Sequence, residues 1–489
     1  MSEAASVPFT ETKAPEAPER LHRGALSLID ISASTMANIG PAYSFFFGFG
    51  FLVFTAGVAA PLTIIVAGIA IALLGNTLSQ FSRAQPSTGG FISFVGKTFG
   101  GTSAVTTALL CGAGYIIAIS SVLAISGGFL STVLAYYFGW NIPWIILSVI
   151  LTAGATIMTI RGVGVSTKLA GFFFAFEMLV LIVVSVAIII KNGGHLSVVP
   201  FEPSHITKGF SGLAAGFPLA IYLFIGWENS AALAEETGNP RRNVPRAVYL
   251  SIALMVVGYV LFAFATVTGF HYNGTALAGS AIPFISVAHN VLAGFAFFAY
   301  LAGLTSTIGV LISAVNSQAR LIFNAGREGL LPRWIGKVHP SRKTPMNAIY
   351  TFVAFASAII LVWALLHLIG GHKQSGSMVA LNFFVESSTM GTILVLVVYF
   401  LANLALPFYY RKYHPAEFNL LKHLILPVLG MIAIAVPVYY LVKPGQPSPY
   451  DWFPYAALAI VVIAVVYSWI LNRRDPGLGE RAGSIVADE

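Results

Sequence analysis

Two carboxylates stand inside membrane-length apolar sequence, Glu177 among phenylalanines and Glu228 in the run Phe224-Ile225-Gly226-Trp227-Glu228. Keeping a charge at the centre of a bilayer costs roughly 2.5–3.5 kcal/mol on insertion scales, so such acids are usually retained for use. Glu177 lies nine residues past Lys168, about 13 Å along a helix. Burial there disfavours the charged form, which suits a group that loads and releases a proton near neutral pH. The alternative is an acid hydrogen-bonded within the bundle. Glu228 has three readings: a structural acid pinning an unwound segment, a group that changes protonation, or a direct contact for a ligand cation. Thr305 and Ser306 form a hydroxyl pair further along. They either bond their own helix or, with one carboxylate, furnish oxygens for a hard cation such as sodium.

Two interruptions of apolar helix supply the other chemistry. Asn38, Ile39, Gly40, Pro41 and Ala42 break the first segment, because proline lacks an amide proton and disfavours helix in the residue before it. Ile225 and Gly226 mark the matching break beside Glu228. A broken helix in lipid is tolerated beside a cavity. Past the first break, the amides of Ala42, Tyr43 and Ser44 would favour a carboxylate. Before the second, free carbonyls from about Leu223 to Gly226 would favour an ammonium, with Tyr222 and Phe224 as aromatic walls. Glycine at 40 and 226 permits close approach to the backbone.

The elements that position these groups follow from composition. The 489 residues are 57% hydrophobic and 9% charged, with a mean hydropathy of +0.83. Soluble proteins carry about a quarter charged residues, so this is an integral membrane protein with the bilayer as its surroundings. Soluble enzymes, nucleic-acid binders and disulfide scaffolds are poor fits. The single cysteine, Cys111, excludes an intrachain disulfide and a cysteine-rich metal site. No metal site and no cofactor are expected, and neither the P-loop pattern for ATP nor a Cys/His metal spacing occurs.

Apolar segments fall near 26–53, 56–81, 102–137, 142–160, 167–190, 210–235, 247–270, 284–318, 347–369, 378–405, 421–442 and 452–471. The fold class expected is therefore all-α, with twelve transmembrane helices. Of 26 lysines and arginines, only Lys191, Lys208, Lys373 and Lys443 fall on one side. The other side is cytoplasmic by the positive-inside rule, and it holds both termini. Residues 1–23 read as a disordered cytosolic tail without a cleavable signal, and 473–489 as a second tail. Ser27 and Asp30 fit a capping box at the first helix. Interrupted helices at corresponding places in two halves point to an inverted-repeat transporter. The repeats would be 24–193 and 205–405, with helices 11 and 12 over 406–472.

Three separated motifs carry a resemblance. Phe224 to Glu228 with Ala234-Glu235-Glu236-Thr237-Gly238-Asn239-Pro240-Arg241-Arg242-Asn243-Val244-Pro245-Arg246 resembles the sixth helix and following loop of the amino acid–polyamine–organocation permeases. Pro86-Ser87-Thr88-Gly89-Gly90-Phe91 with Phe99-Gly100 is similar to that family's loop between helices two and three. Arg320 and Ala325-Gly326-Arg327-Glu328-Gly329-Leu330-Leu331-Pro332 with Thr344-Pro345 resembles its loop after helix eight. The resemblance covers nearly the whole chain. It implies the LeuT-type fold, discontinuous helices 1 and 6, and secondary transport of amino acids or related small amines.

By that resemblance, the substrate-binding residues are Asn38, Ile39, Gly40, Pro41, Ala42, Tyr43, Tyr222, Phe224, Ile225 and Gly226. Glu177, Glu228, Thr305 and Ser306 are the coupling candidates. Where some family members place a lysine that substitutes for a coupling sodium ion, this chain has Glu177. Where members often have Gly-x-Gly, it has Gly40-Pro41-Ala42, with one amide donor fewer. Arg241, Arg242 and Arg246 face Glu235 and Glu236 in the same loop, and they either tie the cytoplasmic end of helix six to its neighbours or form a solvated topology signal; Glu386 is a candidate gate or entrance acid. The reading is a multi-pass plasma-membrane permease working by alternating access, with a proton as the coupling ion and sodium still open. Exchange of amino acids or amines is the alternative, and outside the class, ligand sensing without flux. Its partners are the small-molecule substrate and the lipid bilayer.

Overall fold

A computed structural model of the chain describes residues 21–207, 209–369 and 376–487. Most of the expected tail, together with Lys208 and Lys373, lies outside these residues. In order the helices are α1 (Leu28–Ile39), α2 (Pro41–Ala56), α3 (Ala60–Ala84), α4 (Phe91–Phe99), α5 (Gly101–Phe138) and α6 (Trp144–Ile160). Then come α7 (Val163–Lys191), α8 (Gly209–Tyr222), α9 (Asn229–Ala232), α10 (Pro240–Gly269), α11 (Gly274–Ala278) and α12 (Pro283–Val291). The chain continues through α13 (Ala296–Arg327), α14 (Met346–Ile369), α15 (Gly376–Tyr413), α16 (Leu426–Val442), α17 (Phe453–Arg474) and α18 (Leu478–Arg481).

Among the described residues, nine candidate spans are long and apolar enough to cross a membrane, with shorter apolar helices at Trp144–Ile160 and Gly209–Tyr222. Backbone polar groups must be satisfied internally in lipid, and helices do this within one segment. Large apolar side chains face outward, among them Leu179, Val257, Leu365, Leu458 and Ile463. A water-soluble surface would not carry so many. The chain is an all-helical, multi-pass membrane protein.

The interior is built around α1 and α2. α1 packs on α7, α10 and α13, while α2 packs on α8 and α13. The start of α1 is set by the capping box: Asp30 N donates to Ser27 Oγ at 3.3 Å and Ser27 N to Asp30 Oδ2 at 2.9 Å. Just before it, Leu26 pairs with the segment after α9, its N donating to Glu236 O at 2.9 Å. Gly238 N returns a bond to Leu26 O at 3.0 Å. The far end of the chain docks on the same face, where Ala487 N donates to Pro86 O at 2.9 Å. The two described chain ends therefore meet the α3–α4 loop, the α9–α10 loop and the end of α13 on one side, called here the basic face.

Candidate functional site

α1 ends at Gly40, whose φ of 63° is left-handed, and Pro41 opens α2 at its first turn. A Cβ on Gly40 would lie 2.2 Å from Val310 Cγ2, so this position requires glycine on two counts. The break leaves α2 with no side-chain cap from its own sequence. Glu177 provides one from α7, its Oε2 accepting from Ala42 N at 2.9 Å. A carboxyl group at a helix N-terminus meets orphan amides and the positive end of the dipole. Tyr43 N donates to Ser306 Oγ at 3.0 Å, and Ser44 N to Gly40 O at 2.7 Å. All three amides that the sequence reading offers to a ligand are thus engaged within the protein. Glu177 is fully buried, and its Oε1 has no hydrogen-bond partner among the described residues.

The second break runs from the end of α8 at Tyr222 to α9 at Asn229, with Gly226 at φ 106°. Glu228 folds back over it. Its Oε2 accepts from Gly226 N at 3.2 Å and its Oε1 from the Tyr115 hydroxyl at 2.7 Å. The first bond satisfies an amide that the unwound segment leaves open, and the second anchors Glu228 to α5. The two breaks also touch, because Asn38 Nδ2 donates to Gly226 O at 3.3 Å. A Cβ on Gly226 would sit 2.8 Å from Asn38 Nδ2 and 3.0 Å from its carbonyl.

Between the breaks is a small cavity of about 40 Å³, lined by Asn38, Ile39, Tyr43, Tyr222, Ile225 and Gly226. Ile119 and Val122 of α5, Val310 of α13 and Val395 of α15 complete it with apolar walls. One water needs roughly 10–15 Å³ by this measure. The cavity is too small for an amino acid as it stands, and its walls must separate to admit one. The Tyr43 and Tyr222 hydroxyls lie 2.8 Å apart across one end. Phe384 stands edge-on to both, at centroid distances of 5.7 and 6.0 Å. Beyond this aromatic cluster a second cavity, lined by Phe47, Pro218 and Thr389, shares Tyr222 and Thr392 with the first. Toward the basic face a third cavity, holding Tyr115 and Glu228, shares Asn38 and Gln318. The three cavities lie in series along the helices.

Not every expected residue meets that central space. Asn38, Ile39, Tyr43, Tyr222, Ile225 and Gly226 line it, whereas Gly40, Pro41 and Ala42 do not. Phe224 is fully buried and packs edge-on against Tyr259 at 5.3 Å, away from the cavity. Thr305 bonds its own helix, donating toward Leu301 O at 3.0 Å and Ala302 O at 3.1 Å. Ser306 instead reaches the break. Glu386 accepts from Trp363 Nε1 at 2.9 Å.

The ion pairs on the basic face correct one expectation. Glu235 and Glu236 pair with α13 rather than with the arginines of their own loop. Arg320 grips Glu236 with Nε and Nη2, at 2.5 and 3.0 Å, and both side chains are buried. Arg327 Nη2 meets Glu235 Oε2 at 2.7 Å. Arg241 Nη1 donates to the Arg83 and Ala84 carbonyls at 3.2 and 2.6 Å. A 3₁₀ turn at Ala234–Glu236 aims both acids at α13, which loop sequence alone does not reveal.

The profile of the amino acid permease family matches residues 24–466. The chain belongs to this family. The permease is 25% identical over 438 residues to cationic amino acid transporter 6, chloroplastic, of Arabidopsis thaliana, covering 85% of this chain and 70% of the relative. It is 22% identical over 433 residues to a branched-chain amino acid permease of Bacillus subtilis, covering 83% and 85%. In fold the permease is similar to a solved manganese transporter of Eremococcus coleocola, with a TM-score of 0.56 over 91% of this chain and 95% of that one, at 11% identity. The resemblance read from the three motifs is therefore right, and the permease has the LeuT-like fold. Sequence reasoning missed Tyr115, Gln318 and Phe384. Each meets the breaks only through tertiary packing.

Proposed function

We propose that the permease moves an amino acid or related small amine by proton-coupled symport, alternating access around the two helix breaks. The observation that carries this reading is Glu177, a fully buried acid whose one oxygen caps α2 while the other has no hydrogen-bond partner among the described residues. An acid so placed couples its protonation to the helix that must move when the cavity opens. Protonation changes what its free oxygen can bond, and with it the hold on Ala42. Glu228, bonded to Gly226 and Tyr115, is the organiser of the second break.

In this reading twelve spans form two five-helix repeats, 24–193 and 205–405, with a pair of helices over 406–472. The run Leu28–Ala84 is 57 residues long, about 85 Å of helix, against a hydrocarbon core of about 30 Å. That length supports two crossings there, and the two shorter apolar helices would add one crossing each. The excess of Lys and Arg on the basic face supports cytoplasmic termini. The bacterial relatives support residence in the cell membrane.

The experiment is radiolabelled uptake into proteoliposomes, screened over amino acids and polyamines with an imposed proton gradient. An inward proton gradient should drive accumulation with sodium absent. Uptake that ignores the gradient and requires internal substrate would instead make the permease an exchanger. Binding without flux under any gradient would make it a sensor.

A further inference from the structure

A larger cavity lies on the basic face, away from the central breaks. It measures about 410 Å³, against about 40 Å³ for the central one. Its rim carries Arg161, Lys168, Arg342 and Lys343, with His22 beside them. The only carboxylate in its lining, Glu236, is already held by two bonds from Arg320. Among the described residues, none of the four cations has a carboxylate partner.

Four unpaired cations around one hollow repel one another, and loose side chains would swing apart into solvent. Here the backbone gathers them. Arg161 and Lys168 flank the tight α6–α7 turn and the first helical turns beyond it. Arg342 and Lys343 sit on a turn tied by His339 N to Thr344 O and by Lys343 N to His339 O, each at 2.9 Å. Lys343 takes a φ of 49°, a left-handed conformation that a lysine adopts only where its surroundings impose it. The start of α7 also lines the cavity, with Gly162 and Gly164, and a Cβ on either glycine would meet nothing within 4 Å. Among the described residues, no side chain lies close enough to these glycines to fill this space.

We propose that this bowl is a binding site for a phosphate group, presented by an anionic phospholipid headgroup or as free inorganic phosphate. A phosphate offers several acceptor oxygens and one or two negative charges to guanidinium and ammonium groups that otherwise oppose one another. The location suits a headgroup. Val165 lines the bowl and is 54% exposed. It begins an outward apolar row on α7 with Phe172 and Leu179, against which an acyl chain would lie. Occupancy would also bear on transport, because the bowl shares Glu236 with the buried pair that ties the α9–α10 loop to α13.

The test uses the full-length permease in detergent and in nanodiscs, with two four-site variants. One replaces the bowl cations: Arg161→Gln, Lys168→Gln, Arg342→Gln and Lys343→Gln. The control removes the same charge elsewhere on that face: Arg411→Gln, Lys412→Gln, Arg473→Gln and Arg474→Gln. Native mass spectrometry counts retained phosphatidylglycerol against phosphatidylcholine, and inorganic phosphate is titrated as competitor. The bowl variant should hold phosphatidylglycerol about tenfold or more weakly, while the control and phosphatidylcholine retention stay unchanged. Displacement by millimolar phosphate assigns the site to the soluble ion as well, and resistance to it assigns the site to lipid. Equal loss in both variants, or no preference for phosphatidylglycerol together with no phosphate binding, overturns the proposal. Should the four-site variant fail to fold, Arg342→Gln alone, on an exposed turn, must still lower retention several-fold.

Discussion

Glu177 Oε2 accepts the amide of Ala42 at 2.9 Å, so an acid on α7 caps a helix that begins inside the bundle on a different element. The first expectation follows from this bond. Glu177→Gln keeps an acceptor for Ala42 N but holds no exchangeable proton. Proton-driven accumulation should fall at least tenfold while substrate binding stays measurable. Glu177→Ala should in addition lower thermal stability, because losing a cap typically costs about 0.5–2 kcal/mol. Gradient-driven uptake by Glu177→Gln at the wild-type level would remove Glu177 from the coupling step.

The contact between the two breaks admits an equally direct test. Gly226 combines a φ of 106° with an approach that would bring a Cβ to 2.8 Å from Asn38 Nδ2. Gly226→Ala therefore forces either the turn or the end of α1 to shift. Binding and uptake should both drop by an order of magnitude or more, with the protein still folded by size exclusion. Asn38→Ala, which removes the Nδ2 contact but leaves the Asn38 carbonyl 3.0 Å from the added Cβ, should restore the double variant only in part. Wild-type uptake by Gly226→Ala alone would show that the approach of the breaks is dispensable.

How much of this was legible in the chain depends on the kind of interaction. The breaks could be read, because Gly40-Pro41 and Gly226 act through local backbone rules, and the capping box of Ser27 and Asp30 is likewise local. The partners of Glu235 and Glu236 could not. Arg241, Arg242 and Arg246 are near in sequence, yet the acids reach Arg327 and Arg320, more than 80 residues away. Phe224 illustrates the same limit. A helix turn decides which face a side chain takes, and unwinding after Tyr222 turned Phe224 toward Tyr259. The engagement of Ala42 N and Tyr43 N by Glu177 and Ser306 was equally hidden, since both acceptors come from other helices.

Arg320 and Glu236 give an asymmetric expectation. Both are buried, and their two bonds join the α9–α10 loop to α13. Removing one partner strands the other charge, at a typical cost of 3–5 kcal/mol. Arg320→Met or Glu236→Gln alone should lower the melting temperature by several degrees and reduce uptake. The double variant should recover stability, because a neutral pair leaves no stranded charge. A double variant less stable than both singles would contradict this account.

The last expectation concerns pH and the C-terminal segment. Gly483 N donates to Glu328 Oε2 at 3.1 Å, Asn324 Nδ2 donates to Oε1 at 3.1 Å, and Arg481 Nε donates to the Glu328 carbonyl at 3.3 Å. Burial pushes the Glu328 carboxyl up to about 7, although the bonds from Gly483 and Asn324 and the nearby Arg327 favour its charged form. The folded protein then holds this proton more tightly than the unfolded chain does, where the group titrates near 4.5. Its contribution to stability is full below that value and is lost as pH rises through about 7. Thermal unfolding should therefore show a melting temperature that falls between pH 5 and pH 8. Glu328→Gln should flatten that slope, since glutamine keeps an acceptor for Gly483 N without the titration. Truncation after Arg474 should flatten it too, by uncovering the carboxylate to water. A slope that survives both changes would mean that another group governs the pH dependence on this face.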